Sequence, residues 1–486
     1  MAKFYDTLIW EYIKKPWNRN LSLDKIAQND LNYEMISYKD ITNKWKNNFK
    51  DVDLITASKY SWEDVIITNK IYKKHLELNL DNEKIINEIE LPLMEVLVNM
   101  EIDWVKVDKD KLFDIWELLK KEIKRLEEDI FIISDEEFNI NSPKQVWEIL
   151  FNKLALPKGK KTKTWYSVNA EVLWELSHEF EIAQMIVDYR HYSKLLSTYV
   201  EWLSKLLDSN WLLHTSYNQT VTTTGRLSST NPNLQNIPSS HWIAWEIRSA
   251  FVSRFEWWKI IAIDYSQVEV RILAILSKDG NLLNSFKNNE DIHHKTAEFI
   301  FPWETITSNE RKIAKAVNFW VIYWISWFWL SKMIGKSLKE SKEYIDKFFE
   351  SYPKVRSFLD ETIKKCEETW YVETIFGRKR YIPWINDSNK MIKSSAEREA
   401  INMPIQWTSA DIIKLAMIKV AEYLKEKKLK TKMIMQVHDE LVFDTYPWEE
   451  EIIKTEITNI MENIIYNEEI KLKSDIWVGK NWRKAA

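Results

Sequence analysis

The sequence predicts a protein of the α+β class, and three patterns carry this prediction. Apolar residues recur at helical spacing through much of residues 87–206. Residues 259–263 form a short β-branched run that ends on Asp264, which is typical of a buried strand. Two further apolar runs, residues 432–437 and 441–443, flank a short polar turn and predict a β-hairpin. Long helices combined with a hairpin-containing sheet indicate α+β architecture.

The remaining elements follow in chain order. The first 85 or so residues alternate between helices and loops, and they end in a helical stretch from about Glu63 to Leu78. The helical region that follows carries one apolar stripe, formed by Leu112, Ile115, Leu119, Ile123, Leu126 and Ile130. The lysine-rich residues 157–163 predict an exposed loop, either a solvated turn or a tip that contacts phosphate. Helical patterns resume from about Asp291 to Thr369.

Length and composition restrict the class of protein. A chain of 486 residues is too long for one hydrophobic core, so we expect two to four lobes. The single cysteine, Cys366, excludes an intrachain disulfide and fits a reducing cytoplasm. The longest apolar run, from Phe319 to Leu330, is too short for a bilayer span of roughly 20 residues. The net charge of −4 neither favours nor excludes nucleic acid, because phosphate binding depends on local patches.

The tryptophan and glycine contents are abnormal. The chain has 26 tryptophans and only 6 glycines, whereas glycine alone usually makes up roughly 7% of a protein. The two counts together match an ordinary glycine content. One interpretation is a tryptophan-rich protein that binds sugars or a membrane surface. The other is that most of these tryptophans stand at glycine positions.

Two carboxylates lie where a pair of metal ions could be held. Asp264 ends a predicted strand, and Asp439 lies at the tip of the predicted hairpin. Hard ions such as Mg²⁺ prefer oxygen ligands, and two divalent ions can clamp the attacking and leaving oxygens of an in-line displacement. The alternative is that each aspartate caps a turn or a helix.

A second pattern favours the metal-site interpretation. Four residues are spaced by four along a predicted helix and lie on one slowly winding stripe: Arg311, Lys315, Phe319 and Tyr323. Two cations followed by two aromatic rings suit a triphosphate at one end and a base at the other. An ordinary amphipathic helix would instead bury its apolar residues and leave the basic ones in water.

The sequence resembles the family A DNA polymerases through five motifs in the family's order. They are residues 223–229 with 233–238, residues 264–271, residues 311–323, residues 397–406 with 410–411, and residues 436–440. The similarity continues to the C-terminus. It implies template-directed DNA synthesis, in which a primer 3′-hydroxyl attacks an incoming deoxynucleotide and releases pyrophosphate.

The resemblance also implies roles for individual residues. Asp264 and Asp439 would bind two Mg²⁺ ions with help from the Tyr265 carbonyl, and Glu440 would lie nearby. Lys315 would also protonate the leaving group. The residues implied to bind the nucleotide are Gln267, Glu269, His293, Arg311, Lys315, Phe319 and Tyr323. Glu269 would exclude a ribose 2′-hydroxyl.

A further group of polar residues is implied to contact DNA. It consists of Arg226, Gln235, Asn236, Arg398, Asn402, Gln406, Gln436 and His438. Their side chains suit minor-groove acceptors, which are nearly independent of base sequence. The implied partners are primer–template DNA and deoxynucleoside triphosphates, and we expect a cytoplasmic monomer without a membrane partner. The alternative is a non-catalytic, DNA-binding relative that keeps the same shape.

The resemblance implies a right-hand fold of thumb, palm and fingers. We expect residues 86–210 to form the thumb, 211–285 and 395–486 the palm, and 286–394 the fingers. Residues 1–85 resemble a truncated 3′–5′ exonuclease-like domain, in which only Tyr60 and Asp64 match functional positions. Because one carboxylate cannot hold two metal ions, we expect no proofreading.

The motifs also bear on the tryptophans. Tryptophan stands where the family has glycine at Trp104, Trp147, Trp165, Trp320, Trp324, Trp329, Trp370, Trp407 and Trp477. Trp482 differs, because the family commonly has tryptophan there. Our hypothesis is that the source organism reads UGA as glycine and that the printed sequence translates UGA as tryptophan. A chain made literally as printed should then fold badly or be inactive.

Overall fold

The computed structural model describes residues 5–18, 20–44, 48–78, 82–157, 168–237, 242–302, 305–324, 327–465, 467 and 469–485. Most of the lysine-rich loop predicted at residues 157–163 lies outside the described residues, as does Trp165. Within the described residues, no helix is both long and apolar enough to cross a membrane.

Among the described residues up to Asp103, all regular secondary structure is helical. The helices are α1 Thr7–Lys14, α2 Leu23–Leu31, α3 Tyr38–Ile41, α4 Leu54–Glu77, α5 Glu83–Ile85 and α6 Leu91–Asp103, with a 3-10 turn at Phe49–Asp51 and a π-helical stretch at Ile86–Glu90. The helical stretch predicted from about Glu63 to Leu78 is the second half of α4. Asp6 and Asp53 cap α1 and α4 by accepting backbone N–H groups of the first turn.

The next region confirms the long helical pattern. It contains β1 Val105–Val107, α7 Lys109–Ser134, α8 Pro143–Trp147, α9 Ala170–Ser177, α10 Glu181–Lys194 and α11 Trp202–Leu206, with π-helical stretches at Glu148–Lys153 and Leu195–Glu201. The predicted apolar stripe lies on the packed face of α7, where five of its six residues are buried and Ile123 packs partly buried against them.

The middle of the chain alternates short strands with helices. Its elements are β2 Leu212–Leu213, β3 Ser216–Asn218, β4 Ser228–Thr230, α12 Trp242–Ser249, β5 Phe251–Val252, β6 Lys259–Tyr265, α13 Val268–Ser277, α14 Gly280–Lys287, α15 Ile292–Ile300, α16 Ser308–Tyr323, α17 Trp327–Ile334, α18 Leu338–Ser351 and α19 Pro353–Thr369. A 3-10 turn lies at Leu234–Asn236. The predicted strand at residues 259–263 and the helices between Asp291 and Thr369 are confirmed.

The last region contains the predicted hairpin. Its elements are β7 Tyr371–Glu373, β8 Lys379–Tyr381, α20 Lys390–Glu426, β9 Lys432–Val437, β10 Glu440–Thr445, α21 Glu450–Ile452, α22 Thr458–Glu462, β11 Ser474–Gly479 and α23 Trp482–Ala485. A 3-10 turn at Pro447–Glu449 and a π-helical stretch at Ile453–Ile457 complete it. With helices surrounding antiparallel sheets, the structure has the predicted α+β class.

The central sheet has four antiparallel strands in the order β11-β6-β10-β9. Ile261 and Ile263 of β6 belong to one large hydrophobic cluster, whereas Ile260 and Ala262 belong to another. Successive side chains of a strand point to opposite faces, so the sheet lies between two cores. This explains why residues 260–263 are continuously apolar and do not alternate with polar residues.

A buried network of charged side chains joins α20, the π-helical stretch before α6 and the β7–β8 hairpin. The Arg378 Nη2 atom lies 2.7 Å from Glu90 Oε1 and 2.6 Å from Asp411 Oδ1. The Lys414 Nζ atom lies 2.7 Å from the same Glu90 oxygen. All four side chains are at most 1% exposed. The two cations raise the free-energy cost of protonating Glu90, and its pKa is lowered to about 2 despite the opposing effect of burial.

We expect the Arg378→Met substitution to lower the free energy of unfolding by about 3–5 kcal/mol, because it leaves buried carboxylates without their partner. Urea unfolding of the purified protein measures the change. Lys425→Met is the matched control, since Lys425 pairs with Glu95 at 3.0 Å but both side chains are more than half exposed. Lys425→Met should lower the free energy of unfolding by less than about 1 kcal/mol. Equal losses in the two variants would contradict a special role for the buried network.

Among the described residues, five tryptophans have a left-handed backbone. Their φ angles are 56° at Trp104, 61° at Trp211, 74° at Trp257, 45° at Trp324 and 66° at Trp370. Trp324 and Trp370 directly follow α16 and α19, at the position that glycine most often occupies after a helix. Trp104 combines φ 56° with ψ 164°, close to a region adopted almost only by glycine. These angles support the hypothesis that the printed tryptophans stand at glycine positions.

Candidate functional site

The predicted carboxylates meet at one end of the central sheet. Asp264 is the penultimate residue of β6, and the two-residue loop of His438 and Asp439 joins β9 to β10. The Tyr265 N–H donates to the backbone carbonyl of Asp439 at 3.2 Å, which fixes the hairpin tip beside the strand end. Glu440 lies directly across from Asp264 on β10, and Asp475 lies across from it on β11. Asp475 was not predicted, because the sequence pattern there indicates only a short final segment.

The carboxylates repel one another in a partly dry environment. Burial, followed by the charges of Glu440, Asp439 and Asp475, raises the pKa of Asp264 to about 7. Burial also raises the pKa of Glu440, against the opposing effects of a hydrogen bond from Trp482 and the charge of Arg248. A divalent cation would relieve this repulsion, and a donor set of oxygens alone suits a hard ion. The residues present therefore fit a site for a divalent cation.

The predicted stripe runs along α16. Thr307 caps this helix in a capping box with Glu310, which fixes where the helix begins. The Lys315 ammonium lies 5.8 Å from the centre of the Phe319 ring, and the Phe319 and Tyr323 rings are 6.2 Å apart. The stripe thus has two exposed cations at one end and two half-buried rings at the other.

Asp291 and His293 lie beside the stripe and form hydrogen bonds with side chains of α16. Arg311 Nε donates to Asp291 Oδ2 at 2.6 Å. The Asn318 side-chain amide donates to His293 Nδ1 at 2.8 Å, and the His293 and Phe319 rings are 6.4 Å apart. Burial, reinforced by the charges of Arg311 and Lys315, lowers the pKa of His293 to about 4. The imidazole is therefore neutral near pH 7, and because Nδ1 accepts a hydrogen bond, its proton lies on Nε2.

Three predicted residues connect the helix to the carboxylates. The Tyr323 hydroxyl donates to Glu269 Oε2 at 3.0 Å. Arg226 Nη2 donates to the other oxygen of Glu269 at 2.9 Å and lies 3.9 Å from Asp439 Oδ1. Burial raises the pKa of Glu269, although the charge of Arg226 opposes the shift. Gln267 is the N-cap residue of α13, the helix that carries Glu269, and it has a left-handed backbone. The stripe and the carboxylates therefore form one continuous site.

Apart from Arg226, the residues predicted to contact DNA form two groups. In the first group, Gln235 Nε2 donates to Gln436 Oε1 at 2.8 Å, and Gln436 Nε2 donates to the backbone carbonyl of His438. The carbonyl of Asn236, next to Gln235, accepts a hydrogen bond from Tyr199. These contacts place the group beside the hairpin that carries Asp439.

The second group lies along α20. Arg398 is exposed and donates to the carbonyl of Ser394. Asn402 Nδ2 donates to the carbonyl of Tyr323 at 3.4 Å, while Asn402 Oδ1 is buried without a partner among the described residues. Gln406, one turn further along, is 9% exposed. The ligand roles of both groups remain predictions.

The structure adds residues that the sequence reasoning missed. Ser409 Oγ lies 3.3 Å from Asp439 Oδ1, and Trp482 Nε1 donates to Glu440 Oε1 at 3.0 Å. Arg248 is 8% exposed. Burial lowers its pKa, and the charges of Glu440 and Asp264 oppose that shift. The two hydrogen bonds join residues 30 and 42 positions apart in the chain, and no local sequence pattern predicts them.

The comparisons with known proteins agree with this geometry. The sequence profile described as DNA polymerase family A matches residues 109–484. DNA polymerase I of Bacillus subtilis strain 168 is 41% identical over 486 residues, which cover 99% of this chain and 55% of that protein. DNA polymerase I of Caldicellulosiruptor bescii is 45% identical over 423 residues, which cover 86% of this chain and 50% of that protein. The chain thus spans about half the length of these curated relatives.

A solved structure shares the whole architecture. It is the POL domain of Pol1 from M. smegmatis in complex with DNA primer–template and dNTP, which matches with a TM-score of 0.89 and 30% identity. The match covers 99% of this chain and 82% of that one. The fold is therefore the right-hand polymerase fold that the resemblance implied. The chain belongs to DNA polymerase family A.

Proposed function

We propose that the chain is a template-directed DNA polymerase that extends a primer 3′-hydroxyl with deoxynucleotides and releases pyrophosphate. The observation that carries this proposal is the continuity of the site. The carboxylates of Asp264 and Asp439 lie at one end of the sheet, and Arg226, Glu269 and Tyr323 link them to the cationic stripe of α16. A candidate metal site joined to a helix that could bind a triphosphate suits nucleotidyl transfer.

The residues then have separate tasks. Asp264, Asp439 and the Tyr265 carbonyl would hold two Mg²⁺ ions, with Glu440 beside them. These ions, when bound, would activate the primer hydroxyl and neutralise charge on the phosphates. Arg311, Lys315 and the neutral His293 would bind the triphosphate.

The other nucleotide contacts select and orient the substrate. Lys315 would give its proton to the departing pyrophosphate, and the Phe319 ring would pack on the nucleotide. Glu269, held by the Tyr323 hydroxyl, would exclude a ribose 2′-hydroxyl. Gln267 would complete the nucleotide pocket from the start of α13.

We propose primer–template DNA as the partner of the two polar groups described above, and a cytoplasmic monomer as the active form. The thumb, palm and fingers would follow the predicted division at residues 86–210, 211–285 with 395–486, and 286–394. Residues 1–85 would not proofread. In support, the Tyr60 ring packs against Tyr38 and Phe49 at about 6 Å, which favours a structural role for Tyr60.

A non-catalytic relative is the second candidate, and primer extension separates the two. We expect a form with glycine at the tryptophan positions that the recoding hypothesis assigns to glycine to extend a labelled primer with Mg²⁺ and deoxynucleotides, whereas the printed chain should extend it poorly or not at all. DNA binding without extension by either form would favour the second candidate. Degradation of a 3′-labelled primer would contradict the expected lack of proofreading.

The Glu269→Ala substitution should weaken selection against ribonucleotides by about tenfold or more, equivalent to at least about 1.4 kcal/mol. The reason is that alanine removes the side chain proposed to meet the 2′-hydroxyl. The measurement is the ratio of kcat/KM for deoxynucleotides and ribonucleotides. Glu422→Ala, at an exposed position of α20, is the control and should leave this ratio unchanged. An unchanged ratio in Glu269→Ala would exclude Glu269 as the gate.

A further inference from the structure

Glu440 has one fixed oxygen and one available oxygen. Its Oε1 accepts the indole N–H of Trp482 at 3.0 Å, and within the described residues its Oε2 accepts no hydrogen bond. Glu440 lies across the sheet from Asp264. A glutamate side chain is flexible, so a donor on a rigid group is needed to hold its carboxylate in one orientation.

Trp482 is such a rigid group. Its side chain is fully buried, and its ring meets Phe251 edge-on with centroids 5.5 Å apart. The preceding residue, Asn481, forms an antiparallel bridge with Val252, which ties the start of α23 to β5. The indole therefore cannot move without disturbing the surrounding core.

Arg248 completes the arrangement against the Trp482 ring. Its guanidinium lies 4.2 Å from the centre of that ring, and its Nη2 donates to the Ile237 carbonyl at 3.3 Å. Arg248 Nε is buried without a hydrogen-bond partner among the described residues. The charge of Arg248 opposes the rise in the pKa of Glu440 that burial causes. A buried cation near these acids makes their negative charge less costly.

We propose that Trp482 and Arg248 are positioning residues that hold the Glu440 carboxylate in place at the metal site beside Asp264. This inference rests on the proposed polymerase function. The indole N–H of Trp482 donates to Glu440, whereas the buried indole N–H groups of Trp147 and Trp320 have no hydrogen-bond partner among the described residues. Partners that orient metal-site carboxylates typically change metal affinity or activity about 10–100-fold when removed.

The test is Trp482→Phe, which keeps an aromatic ring and removes the N–H donor. It is made in whichever form of the chain extends primers. We expect kcat to fall about tenfold or more, with KM for the nucleotide and the Kd for primer–template within about twofold. Mn²⁺ binding to the DNA-free protein, followed by calorimetry, should weaken as well. Trp116→Phe is the control. The Trp116 ring packs on Phe113 within α7 with centroids 5.8 Å apart, so this substitution should leave both measurements unchanged.

A double-mutant cycle separates positioning from general stability. In a Glu440→Gln background, Trp482→Phe should cause no further loss of kcat, because the carboxylate that it orients is already gone. Arg248→Lys should retain more activity than Arg248→Met. Equal losses from Trp482→Phe in both backgrounds, or unchanged Mn²⁺ binding, would overturn the proposal. A lack of extension by the unsubstituted chain would instead overturn the proposed function.

Discussion

Replacing Asp264 by asparagine should abolish primer extension and leave primer–template binding intact. The substitution keeps the size of the side chain and removes a charge on which both proposed metal ions depend. Loss of metal-assisted charge stabilisation lowers turnover by about 10³-fold or more. Single-turnover extension measures the rate, and fluorescence anisotropy of labelled DNA measures binding.

The control for this prediction is Asp346→Asn, at an exposed position of α18. It should extend primers at the parental rate. Substantial extension by Asp264→Asn would contradict the proposed role of this carboxylate. Loss of both extension and DNA binding would show that the substitution damages the fold, and Asp439→Asn would then test the same mechanism independently.

The Asp264→Asn variant also has a predictable pH dependence of stability without metal. The pKa of Asp264 rises from 3.8, its ordinary value, to about 7 in the folded chain. The protonated form of Asp264 therefore stabilises the folded chain fully below pH 3.8, and this contribution is lost as the pH rises through about 7. An asparagine side chain does not titrate, so the variant should gain stability relative to the parent protein as the pH rises through this window. Thermal unfolding in chelator-containing buffers measures the difference.

Glycine at Trp104, Trp211, Trp257, Trp324 and Trp370 should stabilise the protein strongly. Each of these residues has a positive φ that costs a non-glycine residue about 1–3 kcal/mol. Removing five such costs gives a gain comparable to the whole stability of a typical protein, about 5–15 kcal/mol. Chemical unfolding of the printed chain and of the five-glycine form measures this gain.

Two controls distinguish a backbone effect from a general benefit of removing tryptophan. Trp10→Gly and Trp482→Gly should each destabilise the fold, because both rings are buried and packed.

The codons give a separate test, since UGG at 320, 324 and 407 would refute the recoding hypothesis. Trp320 and Trp407 lie inside helices, so backbone angles do not test them.

Local sequence patterns predicted the parts of the fold that depend on neighbouring residues. The apolar run before Asp264 predicted β6, and the four-residue spacing of the cationic and aromatic stripe predicted a face of α16. The pairing of β11 with β6 was missed, because Ser474–Gly479 is short and largely exposed. Nothing near Glu90 indicates that it meets Arg378, a residue 288 positions away. The 37-residue helix α20 also contains Pro404, which from sequence alone would be expected to interrupt a helix.

The position of β6 between the two hydrophobic clusters has a consequence for assembly. Neither cluster alone covers both faces of this strand, so Asp264 reaches its place only after both have packed. A proteolytic fragment that retained one cluster would expose the other face of β6 to water. Such a fragment would keep its helices but would not align Asp264, Glu440 and Asp475 at the end of the sheet. We therefore expect metal binding to appear late in refolding, when the second of the two clusters packs against β6.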